Sequence, residues 1–142
     1  AAGPAAGAHA AYTDRGSLAN SNRQYAEVHR IIRFLEERDI HDVYARYFQK
    51  WQLVFYSGEK IICASNGLDN LTQYMPYESI VRNAKNAAYV LPSKEKMLGV
   101  VKKQLNENGV KYRERNFGDL TVLYDLSANM APGGFVRKRG QD

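Results

Sequence analysis

The chain has a single cysteine, Cys63, so it can close no internal disulfide and offers no cysteine pair to a zinc ion. The run IICAS around it is the setting of a buried, inert thiol, not of a nucleophile. One cysteine leaves the redox compartment open, since a protein outside the cytoplasm can simply lack disulfides. No apolar stretch reaches the roughly 18–20 residues that a membrane span requires. There is no Gly-x-Gly-x-x-Gly, no Gly-Lys-Ser/Thr and no His-Glu-x-x-His, so the dinucleotide fingerprint, the phosphate loop and the helical zinc motif are all absent. The three histidines, His9, His29 and His41, are scattered, which suits packing and surface positions better than catalysis. Asp39 and Asp42 straddle a helix end and a strand start, and read as loop acids, not as a metal pair. Asn70-Leu71-Thr72 is a glycosylation sequon, which matters only in a eukaryotic secretory setting. These absences leave no catalytic residue, metal ligand or cofactor to assign.

What is present describes one ordinary domain. The 142 residues are 44% hydrophobic and 25% charged, enough for a single core without staples. The net charge is +5, and it falls to +3 without residues 130–142, which hold Arg137, Lys138, Arg139 and one acid. That excess is too mild for a nucleic-acid footprint, and no nucleic-acid partner is expected.

Residues 1–20, rich in Ala and Gly, read as a flexible linker, and 129–142 as a loose basic tail. Between them, 21–128 reads as one domain. Ser21-Asn22-Arg23-Gln24 fits a capping box, and Tyr25, Val28, Ile31, Ile32 and Leu35 then recur at helical spacing, giving a helix over about 22–38. Ile40–Ala45 reads as a short strand, 46–56 as a short helix by its aromatic stripe, although Leu53-Val54-Phe55-Tyr56 alone would suit a strand, and Lys60–Ala64 as a strand buried on both faces. Pro76 opens a helix over about 77–86, and Ala87–Leu91 is a third strand. Ser93 is expected to cap the next helix, which stops at Asn108-Gly109. Val110–Arg115 and Leu120–Leu126 form a hairpin pattern. The alternation predicts an α/β fold: a small three-layer sandwich with a mostly parallel sheet of about five strands and a C-terminal antiparallel hairpin. In such a sheet ligands sit beyond the carboxyl ends of the strands, here near Arg46-Tyr47, Ser65-Asn66-Gly67 and Pro92-Ser93.

The stretch His41–Ser65 concentrates aromatic residues and holds the only Trp and the only Cys. Tyr44, Tyr47, Phe48, Trp51 and Phe55 form a stripe at helical spacing, which ordinarily packs on the sheet. The alternative is a partly open surface, because Tyr and Trp join an apolar body to a polar tip and suit sugar rings or a membrane interface. On that reading Tyr44, Arg46, Tyr47, Lys50 and Trp51 are the candidate ligand-binding residues, with Arg46 and Lys50 for a phosphate. Asn66 joins them as a residue of the crevice.

The segment YARYFQKWQLVFYSGEKIICAS also resembles a segment of bacterial multi-spanning membrane glycosyltransferases similar to the dolichyl-phosphate-mannose-protein mannosyltransferases (the GT-C type). There it runs roughly Y-A-D-Y-W, then an aromatic-leucine run and S-x-E-K/R, in a soluble domain after the last span. AAYVLP, QLNENGVKY and FGDLTVLYDLS resemble the same domain, so the likeness covers about residues 23–127. The resemblance implies an integral membrane enzyme using a polyprenyl-phosphate sugar, with this domain on the extracytoplasmic face. It also implies that the catalytic carboxylates lie in membrane-proximal loops outside this chain. The domain would then be an accessory one, inactive alone, whose partners are its own transmembrane region and a lipid-linked sugar or acceptor. Two positions depart from the pattern: Arg46 replaces its Asp, and Phe48 its Trp. The alternative is a free-standing α/β module that binds a nucleotide or another small ligand.

Overall fold

The computed structural model describes residues 22–65, 67–68 and 74–132. The expected linker, the capping serine Ser21, Asn66 and the basic triplet lie outside these residues. Among the described residues four helices and five strands alternate: helix α1 over 22–37, then β1 (Asp42–Ala45), α2 (Tyr47–Tyr56), β2 (Ile62–Ala64), α3 (Met75–Arg82), β3 (Ala87–Pro92), α4 (Lys96–Glu107), β4 (Arg113–Asn116) and β5 (Leu120–Tyr124).

The strands form one sheet in the order β2-β1-β3-β5-β4. β1 pairs in parallel with β2 and with β3, whereas β5 is antiparallel to both β3 and β4. The sheet is therefore mixed, not mostly parallel. The reason lies in how the hairpin docks. β5, Leu-Thr-Val-Leu-Tyr, is apolar on both faces and takes the interior place beside β3, where every one of its residues is buried. β4, Arg-Glu-Arg-Asn, is left at the edge with all four residues exposed. A charged edge strand of this kind discourages pairing with another chain.

Strand pleating sorts the core into two layers. Val43, Ala45, Ala88, Val90, Leu120 and Val122 face α1 and α2. Tyr44, Ala87, Tyr89, Leu91 and Leu123 face α3 and α4 through Val81, Leu98, Val101 and Leu105. Ser93 does not cap α4. Its hydroxyl lies 2.8 Å from both the Gly118 carbonyl and Thr121 Oγ1, and the N-cap position falls to Glu95 without a side-chain bond. α3 starts and stops earlier than its apolar spacing predicts. Pro76 sits inside its first turn, and Asn129 Nδ2 lies 2.7–3.2 Å from the carbonyls of Val81, Arg82 and Ala84 at its end. The chain thus stays tied to the domain beyond residue 128, with the Met130 carbonyl also accepting from the Tyr89 hydroxyl.

Candidate functional site

α2 carries two stripes, and the one that enters the core is not the aromatic one. Lys50, Leu53, Val54 and Ser57 are buried, at the i, i+3, i+4, i+7 spacing of a single helix face. Tyr47, Phe48, Trp51 and Phe55 point outward, with 38%, 62%, 38% and 77% of their surface exposed. The core expectation for these four rings is overturned, and of the five stripe residues only Tyr44 is internal. Hydropathy misleads here because the inward stripe contains a lysine.

Lys50 is fully buried, with its Nζ 3.6 Å from Glu78 Oε2 and 5.1 Å from the Trp51 ring centre. The same Glu78 oxygen accepts the Ser65 backbone N–H at 2.9 Å. A paired charge of each sign is what makes this burial tolerable.

The outward rings form a connected surface. Tyr25 of α1 meets Tyr56 edge-on at 5.0 Å, and Tyr56 meets Phe55 at 5.4 Å. Tyr47 lies 6.2 Å from Trp51, which lies 6.4 Å from Tyr77. Tyr47, Phe48, Trp51, Phe55 and Tyr56 line a shallow groove of about 360 Å³. Scattered apolar residues are normal on a surface, but a contiguous patch of rings marks an interaction site.

Beside this groove lies a more enclosed crevice of about 230 Å³. It opens at the carboxyl end of β3, beside the first turns of α2 that follow β1, near the point where the chain order reverses around β1 and where ligands bind in open α/β sheets. α1 contributes Gln24 and Glu27, α2 contributes Phe48, Gln49 and Gln52, and the loops after β3 and before β5 add Glu95 and Asp119. Phe48 and Gln52 line groove and crevice alike, so the two are continuous. Glu27 is buried and structural: Oε1 accepts the Leu120 N–H. Its Oε2 sits where a Cβ on Gly118, at φ +108°, would approach to 3.1 Å. Glu95 pairs with Arg46, and Asp119 with Arg23 at 3.7 Å.

The residues singled out from sequence are thus dispersed. Tyr47 and Trp51 meet on the open face. Arg46 is half-buried and bound to Glu95 at the rim of the crevice. Lys50 lies under the helix. Tyr44 is in the other core layer, 1% exposed, where burial pushes its phenol up to about 12 and its hydroxyl donates to Asn129 Oδ1 at 2.6 Å. It has no surface to offer a ligand. Asn66 lies outside the described residues. The crevice glutamines were not singled out from sequence, although Gln49 and Gln52, three apart beside Phe48, were a readable signal. Cys63 is buried, which pushes its thiol up and away from reactivity. No group of three His, Cys, Asp or Glu residues gathers among the described residues in a way that could hold a metal ion. No helix among them is long and apolar enough to cross a membrane.

No protein-family model, curated protein or solved structure matches this chain.

Proposed function

We propose that this chain is the extracytoplasmic accessory domain of a membrane glycosyltransferase that uses a polyprenyl-phosphate sugar, helping to place substrate or to stabilise the enzyme without catalysing transfer alone. One observation carries the reading. The segment that resembles such enzymes folds into a helix that exposes Tyr47, Phe48, Trp51, Phe55 and Tyr56 on a single face. Exposing that much ring surface to water is unfavourable, by about 25 cal/mol for each Å² that a partner could cover. Its retention is accounted for if the face meets a lipid chain, a bilayer interface or the enzyme's membrane region, where rings with one polar edge are at home. Other residues of the same segment serve the scaffold. Ser57 Oγ, for instance, accepts the Ile61 N–H at 3.0 Å and donates to the Val54 carbonyl at 3.2 Å, closing the turn from α2 into β2. The free-standing nucleotide-binding reading is weaker, because the crevice at the strand ends carries Glu27, Glu95 and Asp119 against the phosphates.

Cell fractionation tests the proposal. An antibody raised against the domain should detect a polypeptide much larger than 16.1 kDa that stays in the membrane pellet through an alkaline carbonate wash. Detection only of a soluble product near that mass would overturn it.

A further inference from the structure

The geometry points to a sugar-ring subsite: we propose that the crevice between α1, α2 and the carboxyl end of β3 seats one uncharged pyranose, while the apolar part of the same molecule lies along the rings of α2. The ligand class is a neutral glycoside with an apolar aglycone. The inference goes beyond the function proposed above and does not rest on it: a polyprenyl-phosphate donor is anionic, so the ligand of this crevice is a neutral glycoside distinct from that donor. The subsite itself is argued from its lining.

Size comes first. At about 230 Å³ the crevice falls below the roughly 300–1,000 Å³ of sites for drug-sized ligands, so it suits a single ring and not a nucleotide. Charge comes next. Two of its three carboxylates are matched, Glu95 by Arg46 and Asp119 by Arg23, and the third, Glu27, already accepts a backbone N–H and is buried. The lining therefore has no unmatched cation for an anionic ligand, while the paired carboxylates keep lone pairs free for hydroxyl donors.

The amides add the decisive feature. Gln49 and Gln52 are half-buried, and their side chains make no hydrogen bond among the described residues. Both line the crevice, and a glutamine amide has two N–H donors and a carbonyl acceptor, which matches vicinal hydroxyls, each of them donor and acceptor at once. Phe48 supplies the apolar wall on which the C–H face of a pyranose packs. Finally, Phe48 and Gln52 are shared with the aromatic groove, so a molecule with its polar head in the crevice must send its tail across Trp51 and Phe55. The sequence of surfaces, amide and carboxylate then rings, is that of a glycoside read from sugar to lipid.

The test uses octyl β-glucoside and octyl β-mannoside below their micellar concentrations, with tetraethylene glycol monooctyl ether as a tail-matched probe lacking a sugar. Trp51 is the only tryptophan and reports on the groove, while the side-chain amide resonances of Gln49 and Gln52 report on the crevice. At least one octyl glycoside should shift both reporters and bind more tightly than the sugar-free probe. Gln49→Leu should weaken glycoside binding roughly tenfold, the loss of about one to two hydrogen bonds, and leave the sugar-free probe unchanged, because Gln49 lines the crevice and not the groove. Gln52→Leu should weaken glycoside binding relative to the sugar-free probe, and unchanged thermal unfolding checks the fold of both. Equal binding of all three probes, with no movement of the glutamine amides, would reduce the site to an apolar groove and overturn the subsite. The outcome is independent of cell fractionation: a soluble 16.1 kDa product with intact glycoside selectivity would end the membrane-enzyme reading and leave this one standing.

Discussion

The residue on which the fold depends most unusually is Lys50. It occupies a core position of α2, and its only charge partner among the described residues is the equally buried Glu78. Removing one member strands the other in a low-dielectric interior, whereas replacing both by neutral side chains does not. Lys50→Ala should therefore lose about 3–5 kcal/mol of stability, and Lys50→Met combined with Glu78→Gln, which keeps an acceptor for the Ser65 N–H, should recover most of it, both read from urea unfolding. Arg46 gives the opposite expectation. Its pair with Glu95 is more than a third exposed on each side, so Arg46→Ala should cost at most about 1 kcal/mol. With its guanidinium already engaged by Glu95, Arg46 is a poor candidate for the phosphate role that sequence suggested. The same Arg46→Ala variant tests that role, which requires weaker binding of inorganic phosphate than the parent chain shows.

At the scale of elements, spacing located the pieces well and their faces less well. α1, α2, α4 and the three parallel strands lie close to where apolar periodicity puts them. Periodicity could not say which stripe of α2 turns inward, because Lys50 scores as polar while its four-carbon stem fills a core position. Nor could it say that β5 would take the inner place beside β3. In hindsight the contrast between Leu-Thr-Val-Leu-Tyr and Arg-Glu-Arg-Asn was the clue. The end of α3 was illegible for a different reason: it is set by a residue far along the chain. Asn129 holds the Val81, Arg82 and Ala84 carbonyls with its amide and takes the Tyr44 hydroxyl on its oxygen, joining α3, β1 and the segment after β5. Such a contact has no local signature. Asn129→Ala should leave that hydroxyl without its acceptor and the carbonyls without their donor, lowering stability by about 1–3 kcal/mol. Hydrogen exchange of the last turn of α3 should rise more than that of α4, and equal loosening of both helices would count against a specific capping role.

For the molecule as a whole, the buried acids of the core set how stability responds to alkali. Burial pushes the Tyr44 phenol up to about 12, and pushes Tyr89 and the Cys63 thiol upward as well. In the unfolded chain these groups titrate near their ordinary values, 10.0 for Tyr and 9.0 for Cys. Between those values and the raised ones the folded state holds more protons than the unfolded state, so stability must fall as pH rises. The full contribution is present below about pH 9, begins to erode as unfolded Cys63 ionises, and erodes faster above about 10 as the two phenols follow. Asp42, raised by desolvation against the smaller pull of His41, has the same sign at the acid end: its burial costs stability once pH exceeds the ordinary 3.8 and costs none below it. The urea midpoint should therefore decline steadily from pH 9 to 12, and Tyr44→Phe, which removes one of the three groups, should flatten the part of that slope above pH 10. A parallel slope in the variant would mean that the phenol reaches water through an opening near Asn129, and that the layer between β1, β3 and α3 is looser than its burial implies.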